Sequence, residues 1–242
     1  MSLSVAGCGI GGIPLARSTQ PEATSTPMAS QFSPVEKLAD AAAKTNQGPV
    51  TVVMRAPGIR TEARMDPDGR KARTTIAMED ATGGPLRVEV IQIDSDLYLR
   101  LPDVPGPSIW MHSDVANLPP GSTLRMLGGS DHSRAADLAN CVVSAERKGG
   151  HDFTGLLDLT RSRNITRELL TELGPKARAI PFSARTSTDG SLYEFTIDIA
   201  SVLPAYDEIR YAYSRMDGVD VERPDASQVT ELPGSMTDRF DV

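Results

Sequence analysis

Three histidines are the residues of this 242-residue chain with the clearest capacity for acid-base chemistry or metal binding. His112, His132 and His151 each lack a second histidine or a cysteine at the spacing of a zinc site. Ser130, Asp131 and His132 include the residue types of a hydrolase triad, but triad members meet through the fold, and no G-x-S-x-G motif is present. Helix capping by Ser130 and Asp131 explains this stretch better. The sequence therefore predicts no metal site and no cofactor, and it offers little that favours an enzyme.

The two cysteines, Cys8 and Cys141, lie far apart in different contexts. This separation argues against a disulfide framework or a zinc site. Cys141 stands between Asn140 and Val142 in a stretch of small and apolar residues. We interpret it as a buried small hydrophobic residue.

The residues around Cys8 fit two motifs. Gly7, Gly9 and Gly12 match the G-x-G-x-x-G pattern of dinucleotide-binding proteins. That pattern works only where the last glycine opens a helix that holds the pyrophosphate. Pro14 and the later prolines would break such a helix, so these prolines argue against a dinucleotide site.

The second motif is a lipobox, in which a short apolar run ends in small residues and a cysteine, here residues 5–8. It resembles the end of a bacterial lipoprotein signal peptide, whose cysteine receives a diacylglycerol. Because most of the basic and apolar flank is missing before Cys8, we interpret residues 1–7 as a residual signal peptide with a truncated or misassigned start. Residues 8–33 are rich in Ser, Thr and Pro, which predicts a disordered tether. We expect a lipid anchor on the extracytoplasmic face of the cell membrane.

Charge and hydropathy narrow the possible partners. The formal net charge is −7 and the pI is near 5.0, which argues against a nucleic-acid partner. No apolar run approaches the roughly eighteen residues that a membrane-spanning helix requires. We expect one folded domain over residues 34–228, followed by an extended tail over residues 229–242.

Residues 49–101 organise the predicted domain as five consecutive strands. Turn-forming residues separate the strands at positions 57–58, 67–69, 83–84 and 94–95. Apolar and polar side chains alternate within most strands, so one face of this antiparallel meander is apolar. The rest of the chain, or a ligand, must cover that face.

The remaining elements are predicted from capping and periodicity. Ser33 caps a helix that ends near Thr45, and a sixth strand over residues 108–112 carries Trp110, which either shapes a cavity mouth or fills the core. Asn164 is expected to cap a further helix. The other predicted elements are helices at 122–127, 130–140 and 165–173 and strands at 142–147, 152–160, 179–186, 191–200 and 208–215, the last strand of the chain.

The apolar face includes Met54, Met65 and Met78. Flexible thioethers adapt to varied acyl chains, and they also fill irregular protein cores. An incompletely closed sheet with helices laid across its hollow can contain lipid tails, because acyl chains need apolar burial and few directed hydrogen bonds.

This layout resembles the actinobacterial LppX/LprG-type lipoproteins, which share a half-barrel fold with the LolA/LolB carriers. The matching features are Cys8 in its lipobox, the capped helix before the meander, residues 96–102 followed by Trp110, residues 155–158, and the late hairpin that turns at Asp189 and Gly190. The resemblance implies an α+β fold with a curved antiparallel β-sheet, a half-barrel, whose concave face is covered by helices. It also implies a non-enzymatic carrier of acylated lipid or glycolipid, held to the membrane through lipidated Cys8, with an envelope transporter as a partner.

The cavity of such a carrier would be lined by apolar residues of the predicted strands. These residues are Val52, Met54, Ala63, Met65, Ile76, Met78, Val88, Val90, Leu97, Leu99, Trp110, Leu157, Leu159, Phe195 and Ile197. Two other classes stay open. An envelope lipoprotein that binds another protein would have a collapsed core and an exposed apolar patch, and an enzyme would have converging polar groups in its pocket.

Overall fold

A computed structural model describes residues 32–79, 84–103, 109–118, 124–127 and 130–234. Within these ranges the protein has an α+β fold dominated by one sheet of twelve strands. The strands are β1 (Val50–Ala56), β2 (Ile59–Asp66), β3 (Lys71–Glu79), β4 (Pro85–Ile93), β5 (Asp96–Arg100), β6 (Trp110–Asp114), β7 (Val142–Arg147), β8 (Asp152–Leu157), β9 (Ile180–Thr186), β10 (Leu192–Ile197), β11 (Ile209–Arg215) and β12 (Val229–Glu231). The helices are α1 (Pro34–Thr45), α2 (Ala135–Asn140) and α3 (Arg167–Leu173).

The sheet is open, with edge strands β12 and β7. Its order is β12-β6-β5-β4-β3-β2-β1-β11-β10-β9-β8-β7. All neighbours are antiparallel except β12, which runs parallel to β6. The chain thus builds two meanders, β1 to β6 and β7 to β10, and β11 joins them by pairing with both β1 and β10.

Helix α1 begins with a capping box, as the sequence predicts. The hydroxyl of Ser33 accepts a hydrogen bond from the backbone N–H of Glu36 at 3.2 Å, and the Glu36 carboxylate accepts one from the N–H of Ser33 at 2.7 Å. Pro34 occupies the first turn, where its missing N–H costs nothing. The helix ends at Thr45, and its predicted extent is confirmed.

The five-strand meander is also confirmed. Consecutive strands β1 to β5 pair in sequence order, and their turns contain the left-handed residues Gly58, Arg70 and Asp94. The turn predicted at residues 83–84 falls partly outside the described residues. The alternation of apolar and polar side chains, together with the turn residues, was sufficient to predict these strands because each strand pairs with its sequence neighbour.

Three predictions around the helices are wrong. Residues 124–127 form turns rather than a helix, and the rest of the predicted range 122–127 lies largely outside the described residues. Helix α2 begins at Ala135 instead of residue 130, because the preceding Arg134 has a left-handed backbone with φ of 62°. Helix α3 is capped by Thr166, whose hydroxyl accepts the N–H of Leu169 at 3.3 Å, and not by Asn164.

Two strand predictions are also corrected. Strand β8 ends at Leu157, and the chain then forms a short 3-10 turn over Leu159–Arg161. Strand β11 is not the last strand, because Val229–Glu231 pairs with β6 as β12. Residues 235–242 of the predicted tail lie outside the described residues.

Candidate functional site

Most of the predicted cavity residues lie on one continuous side of the sheet, called here the inner face. Directly paired residues of neighbouring strands point to the same side. The pairing of neighbouring strands places one residue from each of seven strands in a row on the inner face: Tyr213, Val52, Ala63, Thr74, Val90, Leu99 and Met111. On the other side of β11, the same face continues with the row Tyr211, Phe195, Ala184 and Phe153.

Fourteen of the fifteen predicted lining residues lie in strands. Thirteen of these lie on the inner face, and Trp110 is the exception. Leu159 follows β8 in the 3-10 turn and joins the same buried cluster as Leu157. Most of these side chains are buried, and six of them are 0% exposed: Leu97, Leu99, Leu157, Leu159, Phe195 and Ile197. Full burial means that protein atoms surround these side chains on every side in this structure.

Trp110 lies on the opposite side of the sheet, called here the outer face. The guanidinium carbon of Arg100 stands 4.4 Å from the centre of the Trp110 ring. Trp110 packs in a separate cluster with Tyr98, Val219 and Val221, where the segment between β11 and β12 crosses the outer face. Trp110 therefore contacts a different part of the core from the other predicted lining residues.

Two kinds of structure contact the inner face. Helix α1 packs against α2, β7 and β10, and its Leu38, Ala41 and Ala42 share a buried cluster with residues of β1 and β10. Over β4 and β5, the residues Leu118 and Leu124 form a second buried cluster. Leu118 lies in a bend and Leu124 in a turn, and Val115 of the 3-10 turn Val115–Asn117 packs against the same cluster. None of the described residues of this cluster belongs to an α-helix.

Met126 contacts both buried clusters and is tied to the sheet by polar groups. The hydroxyl of Thr74 donates to Sδ of Met126 at 2.8 Å. The side-chain oxygen of Gln92 accepts the N–H of Leu127 at 3.2 Å, while its amide nitrogen donates to the carbonyl oxygen of Asp94 at 3.1 Å. Gln92 is only 4% exposed, so these bonds are made away from water.

Sequence reasoning missed the polar side chains of the inner face. Tyr213 is buried, and its hydroxyl has no hydrogen-bond partner in the described part of the chain. Tyr211 and Tyr213 stack with ring centres 6.5 Å apart, and burial raises the pKa of both phenols. The alternation of Ile209, Tyr211 and Tyr213 in β11 was the signal that could have placed both tyrosines on the apolar side.

Asp131 of the Ser-Asp-His stretch has a structural role. The Asp131 carboxylate accepts the backbone N–H groups of Ala136 and Asp137 at 2.9 and 2.7 Å, and it also accepts the Asn46 amide at 2.8 Å. Asp131 therefore holds the first turn of α2 and links it to the end of α1. The N-cap residue of α2 is Arg134, which makes no side-chain cap bond, so Asp131 accepts these N–H groups from three residues before the N-cap and does not cap a helix that begins at residue 130.

The other two histidines, which were candidate metal ligands, have separate hydrogen-bond partners. His112 contacts Asp96 at 3.0 Å, and His151 contacts the Thr186 hydroxyl at 3.4 Å. No group of three or more His, Cys, Asp and Glu side chains suited to a metal occurs among the described residues. Cys141 is fully buried, as predicted, and burial raises the pKa of its thiol to about 12.

Two surface pockets are formed by described residues, and they differ in character. The first, of about 370 Å³, lies on the outer face and is lined by Arg60, Glu62, Arg64, Arg73, Thr75 and Ala77. The second, of about 220 Å³, lies beside the β9–β10 hairpin and includes Thr45, Asp189, Leu192 and Tyr213. Tyr213 thus connects this second pocket to the inner face.

Comparisons with known proteins leave the family as an expectation from the sequence. No protein-family model matches the chain, and no curated protein matches it. Among the described residues, no helix is both long and apolar enough to cross a membrane. Cys8, the cysteine of the predicted lipobox, lies outside the described residues.

Proposed function

We propose that this protein is a non-enzymatic envelope carrier of acylated lipid or glycolipid, related to the LppX/LprG-type lipoproteins. Lipidated Cys8 would anchor it to the extracytoplasmic face of the membrane. The sheet would act as a half-barrel whose concave inner face receives the acyl chains beneath the helices, and an envelope transporter would exchange lipid with it.

The observation that carries this proposal is the continuity of the apolar inner face. Apolar side chains follow one another along the pairing from Met111 in β6 through Val90 and Val52 to Phe195 in β10. Adjacent strands are about 4.8 Å apart, so this surface is several times wider than one acyl chain needs. Its few polar groups, such as Thr74 and Tyr213, suit a ligand that requires little directed hydrogen bonding.

Binding of lipid requires that side chains now in contact move apart. Over β4 and β5 this face is contacted by Leu118 and Leu124, which lie in a bend and a turn, and the Gln92 and Thr74 bonds described above connect residues 126–127 to the sheet. Irregular segments separate more easily than packed helices or strands. We therefore place lipid entry at the side of the face formed by β4 and β5.

The proposal is tested by extracting the purified full chain with organic solvent and identifying bound lipid by mass spectrometry, followed by uptake of a fluorescent acyl lipid. Ala63 and Ala212 provide a matched pair, since both are half-buried in strands but lie on the inner and outer faces, respectively. We expect Ala63→Phe to reduce uptake at least tenfold and Ala212→Phe to leave it nearly unchanged. Repeated recovery of lipid-free protein that takes up no acyl lipid would contradict the proposal.

One alternative has an observation in its favour. A lipoprotein that binds another protein would have a closed core, and the 0% exposure of Leu99 and Phe195 fits such a core. It would also present apolar surface, and Val143 and Leu156 are 50% and 39% exposed on the neighbouring strands β7 and β8. This alternative predicts no lipid uptake and loss of a protein complex in Val143→Ser.

A further inference from the structure

Arginines face one another across neighbouring strands of the outer face. Arg210 in β11 is directly opposite Arg55 in β1, and Arg55 is directly opposite Arg60 in β2. One strand further, Ala77 in β3 stands between Arg60 and Arg87 of β4. The side chains of Arg210, Arg55, Arg60 and Arg87 therefore form an arginine row on the outer face.

A second arginine pair lies beside this row. Arg64 in β2 is directly opposite Arg73 in β3. Both line the open depression of about 370 Å³, together with Arg60 of the row. All of these arginines are exposed.

The acidic side chains nearby leave part of this positive charge unpaired. Four of the six arginines have a carboxylate partner: Arg64 with Glu62 at 3.0 Å, Arg210 with Glu208 at 2.6 Å, Arg73 with Glu89 at 3.9 Å and Arg87 with Asp103 at 4.0 Å. Among the described residues, Arg55 and Arg60 have no carboxylate within the 4.0 Å of an ion pair. The middle of the row is thus its least compensated part.

Such an arrangement works against folding. Like charges directly opposite each other in a sheet are destabilising, and the register contains three such pairs: Arg55 with Arg210, Arg55 with Arg60, and Arg64 with Arg73. The whole chain carries a net charge of −7, so a basic composition does not account for the concentration of arginine. A bound anionic surface would offset this repulsion.

We propose that the arginine row docks this protein on an anionic membrane surface by binding the phosphates of phospholipid headgroups. A guanidinium group can bind a phosphate through two parallel hydrogen bonds. The row crosses four strand spacings, roughly 19 Å, which exceeds one phosphate and fits an array of headgroups. Thr75 and Ala77 between the arginines offer no large apolar group for insertion, so binding is electrostatic and sensitive to salt. This surface acts independently of any lipid held on the inner face.

The test is sedimentation of the full, unacylated chain with vesicles of phosphatidylcholine alone or with 30% phosphatidylglycerol. We expect binding only to the anionic vesicles and its loss at high salt. The triple variant Arg55→Gln, Arg60→Gln, Arg210→Gln should bind about 100-fold more weakly, at about one kcal/mol for each arginine near the surface. The corresponding triple Lys variant keeps the charge and should keep most of the binding.

A second triple variant controls for net charge. Arg163, Arg167 and Arg178 are exposed outside the outer face, so their change to Gln removes the same charge and should alter binding less than twofold. Thermal unfolding checks that the variants fold, which we expect because the row substitutions remove repulsion. Equal binding of the wild-type and row-variant proteins would overturn the proposal. Binding to polyglutamate but not to anionic vesicles would also overturn it, and would assign the row to an acidic protein.

Discussion

The hydroxyl of Thr45 joins the end of α1 to the start of β10 through Leu192. It accepts the backbone N–H of Leu192 at 2.9 Å and donates to the carbonyl oxygen of Ala41 at 2.9 Å. Both Thr45 and Leu192 are buried, and the register of the β9–β10 pairing shifts between Leu192 and Glu194. The Thr45 hydroxyl therefore gives the Leu192 N–H a buried acceptor beside this irregularity.

We expect Thr45→Val to lower the free energy of unfolding by about 1–3 kcal/mol, because it leaves the Leu192 N–H buried without an acceptor. Urea unfolding followed by circular dichroism measures the change. Thr45→Ser keeps the hydroxyl and should retain most of the stability. An equal loss in both variants would show that side-chain volume, rather than the hydrogen bond, is responsible.

Gly155 is required by the close approach of β7 and β9 to β8. A Cβ atom at this position would lie 1.9 Å from the carbonyl oxygen of Ser144 and 2.8 Å from Cε1 of Phe182. Because the nearest atom is backbone, the sheet itself would have to shift. We expect Gly155→Ala to lower the free energy of unfolding by about 1–3 kcal/mol or more, measured by urea unfolding.

Gly150 is the matched control for this substitution. It lies in the β7–β8 turn, and a Cβ there would meet nothing within 4 Å. Gly150→Ala should change the free energy of unfolding by no more than about 0.5 kcal/mol. A comparable loss in both variants would contradict the steric explanation.

The parts of the fold that could be predicted are those governed by neighbouring residues. Helix α1 follows from the Ser33 and Glu36 capping box, and β1 to β5 follow from alternation and turn residues. Strand β12 could not be predicted, because its three residues have no pattern of their own and pair with the distant β6. Residues 124–127 suggested part of a short apolar helix, although they form turns in the structure. A short apolar run cannot be assigned from its own periodicity.

In the candidate site, too, local patterns predicted some residues correctly and missed those that depend on distant contacts. Alternation was sufficient to place Val52 and Val90 on one face, because their strands pair with sequence neighbours. Trp110 was placed with them although its side depends on the register of β6 against β5, where Leu99 faces Met111. A change of one residue in register moves a side chain to the other face. The closure of the inner face depends on contacts between distant segments, and no local pattern encodes it.

The Cys141 thiol should be unreactive in the folded protein. Burial raises its pKa to about 12, and the nearby carboxylates of Asp137 and Asp158 act in the same direction. In a Cys8→Ser background, we expect a disulfide reagent at pH 8 to label Cys141 at least tenfold more slowly in the folded protein than in guanidinium. Equal rates would show that the thiol is accessible.

The raised pKa of Cys141 also predicts an alkaline loss of stability. An unfolded cysteine loses its proton near pH 8.5, whereas the folded thiol keeps its proton up to about pH 12. Within that window the folded state binds more protons, so the free energy of unfolding falls as the pH rises. Compared with Cys141→Ala, the wild-type protein should lose up to about 1.4 kcal/mol more per pH unit. Parallel stability curves for the two proteins would contradict this expectation.

The buried His132 predicts the opposite dependence at mildly acidic pH. Burial lowers its pKa, although the backbone of Gly48 and the carboxylates of Asp131 and Asp68 act the other way, and its Nε2 has no partner in the described structure. As the pH falls from 7 to 5.5, the unfolded imidazole takes up a proton near pH 6.5 before the folded one does, so the free energy of unfolding decreases. His132→Gln should remove part of this decrease in urea unfolding experiments. If the wild-type and His132→Gln proteins lose the same stability over this interval, proton uptake by His132 is not its cause.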